Sequence, residues 1–290
     1  MTFLDSLPEE LSVKIPSLGQ WLDIKPVGGG DINEAYQIRF SEGRAFLKVN
    51  EASRFPEMFR LEADALKSLK RHSGFRIPET YGWGSLEGKQ WLLMKWLDSR
   101  PPTGNFWLDF AEKLAYLHWQ SAATFGWPED NYIGSLVQAN AQKDSWTEFY
   151  AECRLMPMAE KAARAGFFAQ GDIQKLEKLI NRLPEICPPE PPAHLHGDLW
   201  SGNYLCSSDG EPVLIDPAVY YGHREMDLAM MRLFGGFPQK VFDQYEAVYP
   251  LTPGFSERVS LWQLFPLLVH LNLFGSAYLG QCRSIIGAFS

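Results

Sequence analysis

Three side chains stand at a spacing that suits one kind of chemistry. Asp198 is followed five positions later by Asn203 and eighteen positions later by Asp216. The first two belong to the turn His194-Leu195-His196-Gly197-Asp198-Leu199-Trp200-Ser201-Gly202-Asn203. Asp216 closes the apolar run Val213-Leu214-Ile215, which is too short for a helix and typical of a buried strand. A turn carboxylate, an amide five residues on and a second carboxylate at a strand end form the set that phosphoryl transfer uses. The first accepts the proton of an attacking hydroxyl, and the other two fix metal ions against nucleotide phosphates. A lone aspartate in such a turn would read as a carboxylate capping it, so the shared order and spacing carry the reading.

Phosphate chemistry also needs backbone donors and a cation. Residues 24–27 and 35–40 read as strands around Gly28-Gly29-Gly30-Asp31-Ile32-Asn33-Glu34. Three glycines between strands are most often a permissive turn, and this is no GxGxxG fingerprint. Its position matters, because a glycine-rich hairpin that lets backbone N–H groups approach phosphate precedes the lysine strand in kinases. The strand 44–49 follows and sets Lys48 among apolar neighbours. A surface lysine is the ordinary reading of such a residue, but a lysine here can hold α and β phosphates if a carboxylate orients it. Residues 55–69 repeat Phe55, Phe59, Leu66 and Leu69 at roughly helical spacing, with Pro56 tolerated in the first turn. Glu62 lies on that helix as the expected partner of Lys48, with Glu57 and Asp64 as weaker candidates.

Residues 80–84 and 90–96 predict a further hairpin, and Leu4, Leu7 and Leu11 a short opening helix. From Phe106 the pattern is helical: 106–123, 146–165, 172–183, a helix carrying Met226, Leu228, Met230 and Leu233, and one or two buried helices over 256–289. Residues 124–145 predict a long loop, which in a compact domain is usually functional or disordered. The five prolines of 184–192 exclude helix and central strand.

With 290 residues and 46% hydrophobic content the chain can bury a large core, and its net charge of −8 argues against a nucleic-acid-binding surface. Four scattered cysteines without metal spacing predict reduced thiols in a cytoplasm. The N-terminus does not read as a signal peptide, and residues 261–280 are too interrupted by polar residues and proline for a membrane span.

The run HGDLWSGN followed by LIDPAVYYGHREMDLAMM resembles the fructosamine kinase (ketosamine 3-kinase) family, a branch of the aminoglycoside phosphotransferase and protein kinase-like fold. FGWPEDNYIG and HLNLFG also resemble it, so the likeness covers about residues 27–275. It implies an α+β, two-lobed kinase-like fold with nucleotide in the cleft. A small antiparallel-sheet lobe with one helix would span 1–97, and a larger, mostly helical lobe 98–290. ATP and Mg2+ would be the cofactors. Asp198, Lys48 and Glu62 would be catalytic, and Asn203 and Asp216 the metal ligands. Gly28, Gly29, Gly30, Asn33, Lys48 and the hinge Met94, Lys95 and Trp96 would bind nucleotide, although the hinge also reads simply as an inter-domain linker. Trp200 and Asn131 would face substrate, Trp200 reading equally well as a core tryptophan. His196 and Asp227 would support the catalytic loop, and His270 alone reads as a satisfied core histidine. Many relatives carry a cysteine after the loop glycines, where this chain has Asp31.

The resemblance implies a kinase of the 3-hydroxyl of ribulosamine or fructosamine adducts, free or on protein, acting in deglycation repair. No nucleic-acid or membrane partner is expected, and the oligomeric state stays open. A kinase of aminoglycosides, choline or homoserine is the alternative, and an inactive nucleotide-binding scaffold a third reading.

Overall fold

The computed structural model describes residues 3–28 and 32–290. It divides the chain into two compact units. The first comprises Met1–Arg71, Phe75–Thr103 and Leu205–Asp216, the second His72–Gly74, Gly104–Tyr204 and Pro217–Ser290.

The first unit is built on a five-stranded antiparallel sheet. Helix α1 (Phe3–Lys14) leads into β1 (Trp21–Pro26), β2 (Glu34–Phe40) and β3 (Gly43–Glu51); α2 (Met58–His72) precedes β4 (Thr80–Leu86) and β5 (Lys89–Lys95). The strand order is β1-β2-β3-β5-β4. Strand side chains alternate between faces. Ile38, Phe40, Ala45, Leu47, Val49, Trp91 and Leu93 therefore form one apolar face, which buries Leu7 and Leu11 of α1. Lys48 has the opposite parity and projects from the other face. The β4–β5 hairpin turns through Glu87 and Gly88, at φ 50° and 79°, the left-handed pair a two-residue turn requires. Helix α2 begins three residues later than its apolar spacing predicts. Glu57 takes φ 59°, a conformation no right-handed helix accommodates, so Pro56 lies ahead of the helix and not in its first turn.

The second unit is mostly helical. Its elements include α3 (Phe106–Trp119), the hairpin β6 (Asn131–Ile133) and β7 (Leu136–Gln138), and α4 (Trp146–Phe149). A π-helical stretch, Tyr150–Leu155, joins α4 to α5 (Met156–Arg164), and α6 (Gln170–Ile186) follows. Pro184 thus sits inside a helix, contrary to the sequence reading. It occupies the last turn, and beyond it Cys187 N still donates to Leu183 O at 2.9 Å. The catalytic turn leaves β8 (Ala193–Leu195), and the chain then enters the first unit through a short strand pair, β9 (Tyr204–Cys206) with β10 (Pro212–Leu214), that leads to Asp216. Then β11 (Tyr220–Gly222) returns antiparallel to β8, placing Tyr220 opposite Leu195. The chain ends in α7 (Glu225–Leu233), α8 (Gln239–Val248), α9 (Phe255–Phe274), a 3-10 turn (Ser276–Tyr278) and α10 (Leu279–Phe289). Helix α8 was not anticipated from the sequence. No helix among the described residues is long and apolar enough to cross a membrane.

Candidate active site

In the first unit, the parity of β3 turns Lys48 away from the α1 face, and its ammonium meets two carboxylates. Nζ lies 2.7 Å from Glu62 Oε1 on α2 and 2.7 Å from Asp216 Oδ1. The other two carboxylates of that stretch, Glu57 and Asp64, both bind Arg60 instead. Burial pushes the Lys48 ammonium down, but the charges of Asp216 and Glu62 outweigh it and hold the group above the ordinary lysine range. Burial likewise raises the Glu62 carboxyl. Lys48 is thus a fixed cation, held from both sides although 6% exposed.

Asp216 adopts φ 53°, uncommon for a residue with a side chain, and Asp is among the few that tolerate it. Its side chain remains 44% exposed, so the carboxylate bound to Lys48 is still open to a ligand. Gly29, Gly30 and Asp31 lie outside the described residues. At Gly28 an added Cβ would meet nothing within 4 Å, and Asn33 Oδ1 accepts from Asn50 Nδ2 at 2.8 Å. At the expected hinge two of the backbone donors are already engaged. The N–H groups of Lys95 and Trp96 donate to Glu79 O (2.7 Å) and Arg44 O (3.1 Å), and Met94 is paired on both sides within the sheet. The N–H of these two residues is therefore spent on holding the end of β5 and is not available to adenine.

In the second unit, the turn after β8 is shaped by Gly197. At φ 83° its Cα faces Ala218 O so closely that a Cβ would lie 2.0 Å from that oxygen. Asp198 N donates to His196 Nδ1 at 3.3 Å, and His196 is fully buried. Asn203 Nδ2 donates to both Asp198 O (2.8 Å) and Asp198 Oδ2 (3.0 Å). The amide therefore orients the carboxylate and turns its own oxygen the other way. Trp200 lies flat over Gly202, whose added Cβ would fall 2.3 Å from the indole ring. That close approach fixes the ring while leaving the residue 39% exposed, two positions from Asp198.

A buried polar chain holds this turn. Asp227 on α7 accepts the backbone N–H groups of His196 (2.8 Å, Oδ2) and Gly197 (3.0 Å, Oδ1). His118 Nε2 lies 3.3 Å from Asp227 Oδ2, and its Nδ1 2.7 Å from the Tyr245 hydroxyl. Arg224 reaches that hydroxyl oxygen and forms a forked pair with Glu190. Burial lowers the His118 pKa, so the ring is neutral. Its Nε2–H donates to Asp227 and its Nδ1 accepts from Tyr245, one tautomer satisfying the whole chain. Burial pushes the Asp227 carboxyl up, but the bonds from His118 and the His196 amide bring it below the ordinary range. Asp198 is thereby mounted on a turn whose two preceding amides are clamped to a buried anion.

The fructosamine kinase family model matches residues 10–289, nearly the whole chain. The chain belongs to the fructosamine kinase family. It is 39% identical to a protein of Enterococcus faecium named a probable ketoamine kinase, over 91% of this chain and 94% of that protein. A Synechocystis protein with the same description is 38% identical, over 90% of this chain and 88% of its own length. Among solved structures, a fructosamine-3-kinase candidate from Thermobifida fusca superposes with TM-score 0.88 at 37% identity, covering 98% of both chains. The aminoglycoside phosphotransferase APH(4)-Ia, solved in a ternary complex with AMP-PNP and hygromycin B, superposes with TM-score 0.65 at 17% identity over 98% of both chains. That likeness shows the kinase-like fold.

Asn131 has a different place from the one expected. It is 6% exposed; its Nδ2 donates to Val219 O at 2.9 Å, and its Oδ1 accepts from Gln138 and Asn140, both at 2.9 Å. Its oxygen is filled and its NH2 is tied to the backbone, so the side chain is a buried brace. The β6–β7 hairpin instead braces the Ala218-Val219 backbone under Gly197, with Gln138 also donating to Ala218 O at 3.1 Å. Buried Arg154, from the π-helical stretch, binds Asn140 Oδ1 and Ala139 O and stacks on Tyr220 at 4.0 Å. Residues 124–145 are therefore an ordered support.

A small pocket opens beside Asp198, lined by Gly197, Ile133, Tyr220, Met226, Asp227, Met230, Phe265, Pro266, Val269 and His270. Met226 and Met230, read from the sequence as core, are buried and also wall this pocket at i and i+4 of α7. Asp227, His118, Tyr245 and Arg224 are the positioning residues a sequence reading reaches least. Asp227 and Arg224 lie together in GHREMD, whereas His118 and Tyr245 lie 109 and 18 residues from Asp227.

Each unit holds an oxygen donor of the kind magnesium takes. Among the described residues no cluster of three His, Cys, Asp or Glu side chains could hold a metal by itself. Asn203 nevertheless presents an amide oxygen with its NH2 engaged, and Asp216 a partly exposed carboxylate. Magnesium commonly takes one or two protein oxygens and completes its shell with phosphate and water.

Proposed function

We propose that this protein is an ATP-dependent kinase that phosphorylates the 3-hydroxyl of ketosamines, the ribulose- or fructose-derived adducts of amines, and so acts in deglycation. The observation that carries the reading is the setting of Asp198. It is an oriented carboxylate with a fixed, exposed indole two residues away and a pocket whose only charged lining groups among the described residues are the acids Asp198 and Asp227. Such surroundings suit a neutral or cationic sugar–amine better than a phosphorylated sugar. The descriptions of the relatives as ketoamine kinases support it.

In this reading Asp198 accepts the proton of the attacking sugar hydroxyl. The hydroxyl oxygen bonds to the γ-phosphorus while the bond to the β–γ bridging oxygen breaks, and ADP departs. Lys48, held by Glu62, positions the α and β phosphates, and Asn203 and Asp216 are the metal ligands. Magnesium, when bound, supplies charge neutralisation at the phosphates. Most of the work left to the chain is positioning. Phosphate on the third hydroxyl gives a product prone to release its amine, which is the repair. The four unpaired cysteines support a reducing cytoplasm as the compartment.

An ADP-release screen with ATP and magnesium decides the substrate class. Ribulose- and fructose-lysine adducts are compared with aminoglycosides, choline and homoserine, and product NMR locates the phosphate. Turnover confined to the last three would sink the reading.

A further inference from the structure

The register of the first unit's sheet sets a tryptophan on the same face as Lys48. Leu92 of β5 stands opposite Lys48 of β3 on one side and opposite Trp83 of β4 on the other. Directly opposed residues point to the same side of a sheet, so all three face α2, where Lys48 meets Glu62. Strand β4 is the open edge of the sheet, and Trp83 is left 45% exposed there. A single exposed indole is ordinary on a protein surface. This one borders a groove of about 430 Å³ between α2 and β4, within the range of roughly 300–1,000 Å³ usual for small-molecule sites.

The two walls differ in chemistry. From α2 come Ala63, Leu66, Lys67 and Lys70, whose spacing of three and four residues places them on one face of the helix. From the β4 side come Glu79, Thr80 and Trp83. Asp64 also lines the groove but is drawn to Arg60 at 3.1 Å. Lys67, Lys70 and Glu79 form no ion pair among the described residues. In a chain of net charge −8, two neighbouring ammonium groups without a counter-ion favour an anion on the α2 wall. The indole across from them offers a flat face to a ring, and Glu79 disfavours a second negative charge at the far end.

We propose that this groove is an effector site for a small aromatic phosphate or carboxylate, acting through α2. The ring stacks on Trp83 and the anionic head lies between Lys67 and Lys70. Glu62 is next to Ala63 in the chain and one helical turn before Leu66, so an occupant of the groove bears on the helix that orients Lys48. The site is independent of which acceptor the kinase uses.

Isothermal titration with phenyl phosphate and with benzoate, in the presence of AMP-PNP and magnesium, reads the affinity and distinguishes the two head groups. A Kd of about 1 mM or tighter is expected for at least one of them, the scale of a small fragment in a partly open groove. Trp83→Ala should weaken that binding roughly tenfold, the scale of one ring stacked on an aromatic side chain. Lys67→Gln combined with Lys70→Gln should weaken it about fivefold, the scale of two solvent-exposed ion pairs; melting curves establish that each variant is folded. Bound phenyl phosphate or benzoate should also shift the wild-type affinity for AMP-PNP about fivefold, the lower end of linkage between sites, and leave that of Trp83→Ala unmoved. No binding of either compound at about 10 mM, or binding that survives both Trp83→Ala and the double lysine variant, overturns the site. Binding in the groove that leaves the wild-type affinity for AMP-PNP unmoved overturns the effector role. A concentration-dependent dimer that expels the compound in sedimentation would make the open edge of β4 an interface between copies, and overturns the small ligand as its occupant.

Discussion

Removing the Asp227 carboxylate tests how the catalytic turn is held. Asp227→Ala strips the acceptor from the buried N–H groups of His196 and Gly197 and from His118 Nε2. Asp227 is 1% exposed, so water does not readily replace it. Each orphaned buried donor costs about 1–3 kcal/mol, and the two amides together about 2–6 kcal/mol. At roughly 2–4 °C per kcal/mol for a domain of this size, melting should fall by about 5–20 °C. Asp227→Asn keeps the shape, but an amide NH2 would face a backbone donor, so it should lie between wild type and alanine. Below the melting range the turn should still be loose. Amide exchange at 196 and 197 should quicken by at least tenfold and kcat should fall, whereas the KM for ATP changes little. The assay is calorimetry with hydrogen-exchange mass spectrometry on a peptide spanning the turn, alongside steady-state kinetics. Melting within 2 °C of wild type together with unchanged protection at 196 and 197 would refute the clamp.

Asp198→Asn should cut kcat by ~10²-fold or more with ATP affinity largely kept, the scale of general-base catalysis, and Asp216→Ala should abolish turnover; near-wild-type kcat in the former counts against the role of Asp198. Acid should unfold the protein through buried histidines: burial lowers His194 to about 3 and His223 to about 4, from an ordinary 6.5. The unfolded chain binds the extra protons between those values, so stability falls as pH drops from 6.5 toward 3–4. By pH 5 each ring should cost about 2 kcal/mol, visible in denaturant titrations at pH 7.5 and 5 and lessened in His223→Phe. Burial also pushes Cys187 and Cys282 up to about 12 and raises Cys153, so few thiolates are present at neutral pH. Mild oxidation should leave activity intact, and a loss reversed by dithiothreitol would count against that.

What could be read in advance was whatever the chain encodes locally. The five strands and helix α2 follow from period and parity, and the choice of Glu62 over Glu57 and Asp64 as the partner of Lys48 came from the family's pattern. The start of α2 was misplaced because Glu57 adopts a left-handed conformation that composition does not announce. Pro184 was excluded from helix with the four prolines that follow it, although the helix runs on through it to Ile186. Asn131 and the hinge residues Lys95 and Trp96 were read for function from the family resemblance. Whether a polar group is already spent depends on partners such as Val219, Gln138, Glu79 and Arg44, which only the tertiary fold brings near. The chain from Arg224 through Tyr245 and His118 to Asp227 is long-range throughout.

The assignment of Leu205–Asp216 to the first unit bears on how the protein can be taken apart. No single cut of the polypeptide liberates that unit, since residues 205–216 are encoded about a hundred residues after the rest. A fragment ending at Thr103 would carry Lys48 and Glu62 but not Asp216, leaving a buried ammonium with one counter-ion in place of two. Swapping front halves among homologues therefore exchanges only part of the phosphate-handling apparatus. A chimera that respects the architecture must transplant 205–216 together with the N-terminal sheet.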